Sequence, residues 1–93
     1  MIIAFRSLDI FIGESHSLKE KRQVLRRIKD IIKSRFNVSF AEIDFQDKWQ
    51  RSKLGLVTIA MDRLDADKRL DTIQKILEED DRVSILDIER EYL

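Results

Sequence analysis

Residues 53–61, Lys-Leu-Gly-Leu-Val-Thr-Ile-Ala-Met, are the most apolar strand-like run in this chain of 93 residues. Aliphatic and β-branched side chains dominate the run, which is typical of a strand with neighbours on both sides. We therefore predict a central strand of a sheet here. The other elements are placed outward from it.

Upstream of the central strand, residues 38–46 alternate apolar and acidic side chains, which predicts a strand with one face toward water. The connection between these two strands is Asp47-Lys-Trp-Gln-Arg51, which contains the only tryptophan of the chain. We call residues 47–51 the tryptophan turn. Because connections lie on the surface and carry function, a large aromatic side chain between cations indicates a contact surface.

The first half of the chain predicts a strand and a helix. Residues 2–12 alternate as a strand until Gly13. Ser17-Leu-Lys-Glu20 has the form of a capping box, in which the serine oxygen accepts a backbone N–H and the glutamate caps the serine N–H in return. The helix is predicted to end at Asn37 in the left-handed conformation. Its apolar residues recur at helical spacing and are Leu18, Leu25, Ile28, Ile31, Ile32 and Phe36.

Downstream of the central strand, the carboxylates of residues 62–67 favour a helix start, and the apolar spacing continues to an acidic run at 78–81. Val83 to about Glu91 reads as the last strand. The order β-α-β-β-α-β without repeats or linkers predicts an α+β, ferredoxin-like sandwich, in which two helices cover one face of a four-stranded antiparallel sheet. Residues 1–93 are predicted to form a single domain. In this topology residues 16–22 and 44–51 converge at one end of the sheet.

The two faces of the sheet follow from the alternation of side chains along the strands. If Leu8, Ile10 and Ile43 face the helices, the open face presents aromatic and aliphatic side chains mixed with carboxylates. Such a face favours a protein partner over RNA, and it predicts a homodimer through the open face or an edge strand. The side chains assigned to the open face on this basis are Phe5, Phe11, Phe40, Leu54, Asp9, Glu42 and Asp44.

Composition limits the class of protein. The chain has no cysteine and no apolar run near the roughly 20 residues of a membrane span, and its N-terminus lacks a signal-peptide pattern, so we place it in the cytoplasm. The net charge is zero, but residues 1–53 carry 12 cations against 7 carboxylates and residues 54–93 carry 6 against 11. This asymmetry indicates an anionic partner for the first half, head-to-tail association, or two oppositely charged solvated helices. A charged content of 39% without proline is typical of a thermophile.

Five cations of the first helix fall within one stripe of roughly 80°, about 20 Å long, which we call the basic ridge. Phosphates of a nucleic acid would match this ridge, and a solvated helix face is the alternative interpretation. Lys21 lies instead inside the apolar arc and is predicted to reach an acidic strand residue such as Glu42 or Asp44, or to extend outward. The basic ridge consists of Lys19, Arg22, Arg26, Lys29 and Lys33. The remaining predicted partner or anion contacts are His16, Ser17, Lys21, Asp44, Gln46, Asp47, Trp49, Gln50 and Arg51.

Catalytic, metal and cofactor motifs are not apparent. His16 is the only histidine and cysteine is missing, so the usual zinc ligand sets are not available. With only Gly13 and Gly55 there is no phosphate-binding loop or dinucleotide fingerprint. An RNA-recognition signature of the aromatic sheet type is also missing. We predict no catalytic residue, cofactor or metal, although a site that combines His16, Lys21, Asp44 and Asp47 stays open as an enzymatic alternative.

Three separated blocks, residues 16–22, 36–44 and 46–51 followed by Leu54-Gly55, together resemble the YlxP-like family of small bacterial proteins, a domain of unknown function. The likeness covers nearly the whole chain. It implies a ferredoxin-like fold and no established catalytic residue, substrate or cofactor. Family members are often encoded beside translation genes, which favours an RNA-linked role. Phe45 departs from the family, in which a histidine is common at this position.

Two functions are therefore weighed. The first is a non-enzymatic binding module that contacts structured RNA or a ribonucleoprotein particle through the basic ridge and the tryptophan turn. The alternative is a homo-oligomeric structural or regulatory domain without nucleic-acid binding, in which the basic ridge is only solvated.

Overall fold

The computed structural model describes all residues, Met1–Leu93, and has the predicted order of elements. These are β1 (Ile2–Phe11), α1 (Leu18–Arg35), β2 (Ser39–Asp44), β3 (Arg51–Ala60), α2 (Arg63–Glu78) and β4 (Ser84–Tyr92). The strands form one antiparallel sheet in the order β2-β3-β1-β4, so β3 is central as predicted. The architecture is the ferredoxin-like α+β fold. Neither helix combines the length and the apolar character needed to cross a membrane.

Helix α1 begins after its predicted cap, and α2 begins within the predicted carboxylate-rich segment 62–67. Ser17 is the N-cap of α1 and its side chain accepts from the N–H of Glu20, while Asp62 caps α2 in the same way through Asp65. The glutamate of the capping box caps a different donor than predicted: Glu20 Oε2 accepts from the N–H of His16 at 2.6 Å. The glutamate reaches one residue further back than in a capping box. The backbone of Ser17 is extended, and it places the N–H of His16 near the first turn of α1.

The predicted left-handed end of α1 at Asn37 is wrong. The helix ends at Arg35, the backbone of its C-cap Phe36 is extended at φ −132° and ψ 145°, and the only residue with positive φ in the chain is Phe45. Asn37 instead accepts a hydrogen bond at its carbonyl oxygen from Thr58 Oγ1 of β3 at 2.9 Å. The segment between α1 and β2 is therefore extended and is bound to β3 through the Asn37 carbonyl.

A single core lies between the sheet and the helices. Leu8 and Ile10 of β1 face this core, as predicted. Leu54 lies opposite Leu8 in the register and is also fully buried under the helices. The helices contribute one apolar face each to the same cluster, through Leu25, Ile28, Ile32, Leu70, Ile73 and Leu77.

The assignment of faces in β2 and β3 is reversed relative to the prediction. Glu42 pairs with Leu54 and Phe40 with Leu56, so these residues share the helix-covered face. Ile43 lies on the open face and is 44% exposed. Leu54, Phe40 and Glu42 are therefore not part of the open face, whereas Phe5, Phe11, Asp9 and Asp44 lie there as predicted.

The loop between α2 and β4 is closed by Asp80 and Arg82. Arg82 donates to the Asp80 carboxylate from Nη2 at 2.6 Å and from its backbone N–H at 3.0 Å. These hydrogen bonds hold the pKa of Asp80 below its ordinary value. A carboxylate with a depressed folded-state pKa contributes stability above its unfolded-state pKa, about 3.9, and loses it as the pH falls through the folded-state pKa.

We expect the melting temperature of Asp80→Asn to lie below that of the parent at pH 6, and the difference to shrink toward zero as the pH falls below about 4. Thermal unfolding followed by circular dichroism across this range measures the effect. Asp81→Asn is the matched control, because Asp81 is exposed and forms no ion pair. A difference that is the same at pH 6 and at the acid limit would contradict the role of the ionised carboxylate.

Candidate functional site

The candidate site is built around Lys21, a lysine of the first turns of α1 that is only 1% exposed. Its Nζ lies 2.9 Å from Glu42 Oε2 on β2, so the prediction that it reaches an acidic strand residue is confirmed for Glu42. The same carboxylate oxygen accepts from Ser52 Oγ at 2.6 Å. A charged side chain enters the apolar arc of the helix here because the neighbouring strand supplies a carboxylate for it.

The ammonium group of Lys21 also binds the backbone between β2 and β3. Nζ donates to the carbonyl oxygen of Phe45 at 2.7 Å and to that of Arg51 at 3.2 Å, with Gln46 more distant at 3.4 Å. The ammonium group has three protons for four acceptors, one carboxylate and three carbonyl oxygens. At least one proton is therefore shared between two acceptors. The backbone on both sides of the tryptophan turn is therefore fixed to one side chain of α1.

Phe45 carries the backbone strain of this connection, with φ 62° in the left-handed region. A bulky residue is uncommon in that region, and it persists only where the surroundings hold it. Here Asp44 Oδ1 accepts from the Phe45 N–H at 2.7 Å, and the Phe45 carbonyl accepts from Lys48 N at 3.0 Å as well as from Lys21. The left-handed backbone conformation of Phe45 directs its carbonyl oxygen toward the ammonium group of Lys21.

Arg51 is also bound internally. Its Nη2 lies 2.8 Å from Asp9 Oδ2 and its Nε donates to Asp9 Oδ1 at 3.2 Å, a bidentate pair across the open face. The guanidinium carbon lies 4.6 Å from the centroid of the Phe45 ring. Arg51 and Lys21 thus stabilise the tryptophan turn through the Nε and Nη2 groups of Arg51 and the ammonium group of Lys21, which are bound within the chain.

The predicted convergence of two distant segments is found. In addition to the Lys21 contacts, Gln50 Nε2 donates to the carbonyl of Gly13 at 3.1 Å, and Ile12 N donates to the carbonyl of Gln50 at 2.8 Å. These bonds join the tryptophan turn to the loop that precedes α1. His16 is exposed beside that loop, where its backbone N–H is bound by Glu20.

Trp49 is the exposed centre of the turn. Its side chain is 56% exposed, and the turn encloses a shallow depression of about 380 Å³ lined by residues 47–51. Lys48 and Asp47 are exposed next to it, and neither forms an ion pair. An aromatic side chain of this size in water indicates a surface for a flat or apolar group.

The basic ridge is exposed along its whole length. None of its five cations forms an ion pair, and none donates a hydrogen bond to another residue. Lys19 and Arg22 lie in the same first turns of α1 as Lys21, which binds the backbone on both sides of the tryptophan turn. The cations are therefore available to an anionic partner without loss of an internal bond.

Sequence reasoning missed a second polar cluster under α2. Arg6 of β1 is buried, and its Nη1 lies 2.6 Å from Asp71 Oδ1 and 3.2 Å from Gln74 Oε1. Arg90 and Tyr92 of β4 line a small cavity of about 210 Å³ beside it. The sequence contains a signal for this buried position. Arg6 lies two residues from both Ala4 and Leu8 in β1, so all three side chains face the helices.

No group of three or more histidine, cysteine or carboxylate side chains is placed to hold a metal ion. The arrangement offers an exposed aromatic ring within an internally bonded turn, and a row of unpaired cations along α1. These are the features of a binding surface on a small α+β domain.

Comparison with known proteins places the chain in a family. Residues 3–90 match the family described as Protein of unknown function (DUF503), and the chain belongs to this family. It is 39% identical over 72 residues to the "Uncharacterized protein YlxP" of Bacillus subtilis (strain 168), a match that covers 77% of this chain and 78% of that protein. The resemblance inferred from the three sequence blocks is thereby confirmed.

Proposed function

We propose that this protein is a non-enzymatic module that binds structured RNA or a ribonucleoprotein particle. The observation that supports the proposal is that Lys21 fastens the first turns of α1, which also carry the start of the basic ridge, to the backbone on both sides of the turn that exposes Trp49. Cations in a row neutralise backbone phosphates, and an aromatic ring stacks on an unpaired base.

The internal contacts sharpen which residues would touch RNA. Lys21 and Arg51 belong to the scaffold, because the Lys21 ammonium group binds Glu42 and backbone carbonyls and the Nε and Nη2 groups of Arg51 bind Asp9. The contacts proposed for the phosphates are the basic ridge and Lys48. A rigid turn suits stacking, because Trp49 would lose little freedom of motion on binding.

The opposite side of the molecule is unsuited to phosphate. β4 presents Asp87, Glu89 and Glu91 on the open sheet face, and carboxylates repel a nucleic acid. RNA would thus approach α1 and the tryptophan end of the sheet. Eight further carboxylates of the acidic half lie in residues 62–81, in and around α2, so the cations of the basic ridge are confined to α1.

The experiment that tests the proposal is retention of RNA from a bacterial lysate by the immobilised protein, followed by titration of the recovered RNA at several salt concentrations. We expect RNase-sensitive retention and an affinity that falls linearly on a logarithmic salt scale. A protein that retains no RNA at low salt would refute the proposal.

A homo-oligomeric structural or regulatory role is the second candidate, and edge strand β2 favours it. β2 contains no lysine, arginine or proline, the residues that usually protect a sheet edge. The other edge, β4, carries Asp87, Glu89, Arg90 and Glu91. A bulge after Glu42 limits the stretch available for pairing to residues 39–42.

If β2 pairs with a second copy, light scattering across a concentration series is expected to give a homodimer, and Ala41→Lys should give a monomer because two lysines would meet at the paired edge. Ser84→Lys on the β4 edge is the matched control and should leave the dimer intact. A parent chain that stays monomeric at high concentration would exclude this candidate.

Composition adds two further points to the proposal. A chain without cysteine suits a reducing compartment, and we therefore propose the cytoplasm. The charged content of 39% also leads us to propose a thermophilic source, which a high melting temperature would support.

A further inference from the structure

The open face of the sheet carries an apolar surface that the proposed RNA contacts do not use. Four side chains of β1 and β3 point to this face in two cross-strand pairs, Ile3 with Ile59 and Phe5 with Val57. Ile59 is 56% exposed although it belongs to a central strand. We call these four residues the apolar stripe. Nothing within the chain covers it, because both helices pack on the opposite face.

Gly55 deepens this surface. A Cβ atom at Gly55 would lie 3.0 Å from Ile43 Cγ2 and 3.5 Å from Phe5 Cε1, so the missing side chain lets Ile43 lie over the sheet. The result is a shallow apolar groove of about 150 Å³ between Phe5, Ile43 and Val57. A groove that is apolar and open to water is a docking feature when a partner supplies a matching side chain.

An acidic column on β4 begins beside Phe5 of the apolar stripe and continues past the end of the stripe. Glu91, Glu89 and Asp87 of β4 lie opposite Phe5, Ser7 and Asp9 of β1, so all three carboxylates point to the open face. All three are exposed, and none forms an ion pair. Alternate residues of a strand stand about 6.6–6.8 Å apart, which is close to the roughly 6 Å rise between cations at positions i and i+4 of a helix.

We propose that the open sheet face binds a cationic amphipathic segment of another protein. Apolar side chains of this segment would cover the apolar stripe and enter the groove beside Gly55. Its lysines or arginines would pair with the acidic column. The molecule would then join two partners, because the basic ridge lies on the other side of the sheet.

Charge complementarity selects this occupant. Phosphate groups and anionic lipid would be repelled by the acidic column. A second copy of the chain would present its own open face, where the acidic column of one copy would meet either the other acidic column or the uncharged residues Ser39 and Ala41. A cationic segment is the partner that satisfies both the apolar stripe and the carboxylates.

A defined probe tests the proposal with the full chain. The probe is an 18-residue synthetic peptide with leucine on one helical face and lysine on the other, and the same peptide with glutamate for lysine is its control. We expect the lysine peptide to bind and to shift the amide resonances of Phe5, Val57 and Glu89, and the glutamate peptide to leave them unchanged. Shifts confined to the helices, or no shift, would overturn the proposal.

Two double variants test whether the carboxylates of the acidic column contribute to binding of the lysine peptide. Glu89→Gln with Glu91→Gln should weaken binding of the lysine peptide about two- to fivefold for each carboxylate removed, the range for exposed ion pairs. Asp65→Asn with Glu79→Gln removes the same charge from the α2 side and should leave the affinity unchanged. Equal losses in both double variants would show general charge attraction and overturn the proposal.

The apolar contribution and self-association are tested separately. Ile59→Lys places a cation in the apolar stripe at an exposed position, so it should abolish peptide binding without unfolding the chain. Retention of RNA is measured in parallel and should be unchanged, so a failure here leaves the RNA proposal standing. If sedimentation shows a dimer that the lysine peptide neither dissociates nor binds, a second copy occupies the face and the proposal is wrong.

Discussion

Lys21→Met is expected to lower the free energy of unfolding by about 3 kcal/mol, the low end of the range for breaking a buried ion pair. The substitution keeps most of the apolar stem of the side chain but removes the ammonium group. Glu42 and the carbonyl groups of Phe45 and Arg51 then lose their shared donor. The low end applies because the Glu42 side chain is still 23% exposed and can be partly hydrated. Chemical denaturation followed by circular dichroism measures the change.

Lys19→Met is the matched control on the same helix, because Lys19 is exposed and unpaired, and it should change the stability by less than about 0.5 kcal/mol. Adding Glu42→Leu to Lys21→Met should recover part of the loss, since an apolar pair replaces an unpaired carboxylate. Stability within 1 kcal/mol of the parent for Lys21→Met, on the scale used for single substitutions, would show that the ammonium group does not hold the turn.

Replacing Arg22, Arg26 and Lys29 by glutamine is expected to weaken RNA binding by about 100-fold near physiological salt. Each lost phosphate contact lowers the slope of the logarithmic affinity against the logarithm of salt concentration by about 0.7–0.9, so three contacts remove about 2–3 from the slope. The stability should hardly change, because these side chains are exposed and unpaired. Titration of a structured RNA at several salt concentrations measures affinity and slope together.

The control for this variant removes exposed cations from the other helix, Lys68 and Lys75, and should leave the slope unchanged. Trp49→Ala should act in a different way, with a loss of about 1–3 kcal/mol of binding from the missing base stack and little change in slope. If the triple variant binds like the parent at every salt concentration, the basic ridge is only a solvated helix face and the oligomeric candidate takes precedence.

Local patterns were sufficient to predict the order of elements and the N-cap of α1. Ser17 and Asp62 start helices because a short polar side chain reaches a free backbone N–H within the same turn, and this needs no distant residue. Of the candidate site, local patterns predicted only the exposed part. The basic ridge and Trp49 follow from helical spacing and from a turn between strands, and the structure places both on the surface.

The role of the cations in the turn required the tertiary structure. Arg51 was predicted as a partner contact, yet it binds Asp9 across the sheet and lies over the Phe45 ring. For Lys21, the sequence left both an inward and an outward path open. A cation is bound internally only when residues far apart in sequence bring acceptors close to it. Neither composition nor residue spacing predicts the distance between such residues in the folded chain.

The sequence by itself determined that this chain has two helices and four strands in ferredoxin-like order, because periodicity and capping are local properties. Only the tertiary structure decided which face of β2 is covered. The alternation of side chains places Glu42 and Ile43 on opposite faces of the sheet, but it does not predict which face the helices cover. Pairing of β2 with β3 places Ile43 on the open face. The buried position of Arg6 and the left-handed Phe45 have the same origin, since both are stabilised by groups on other elements, Asp71 of α2 and Lys21 of α1.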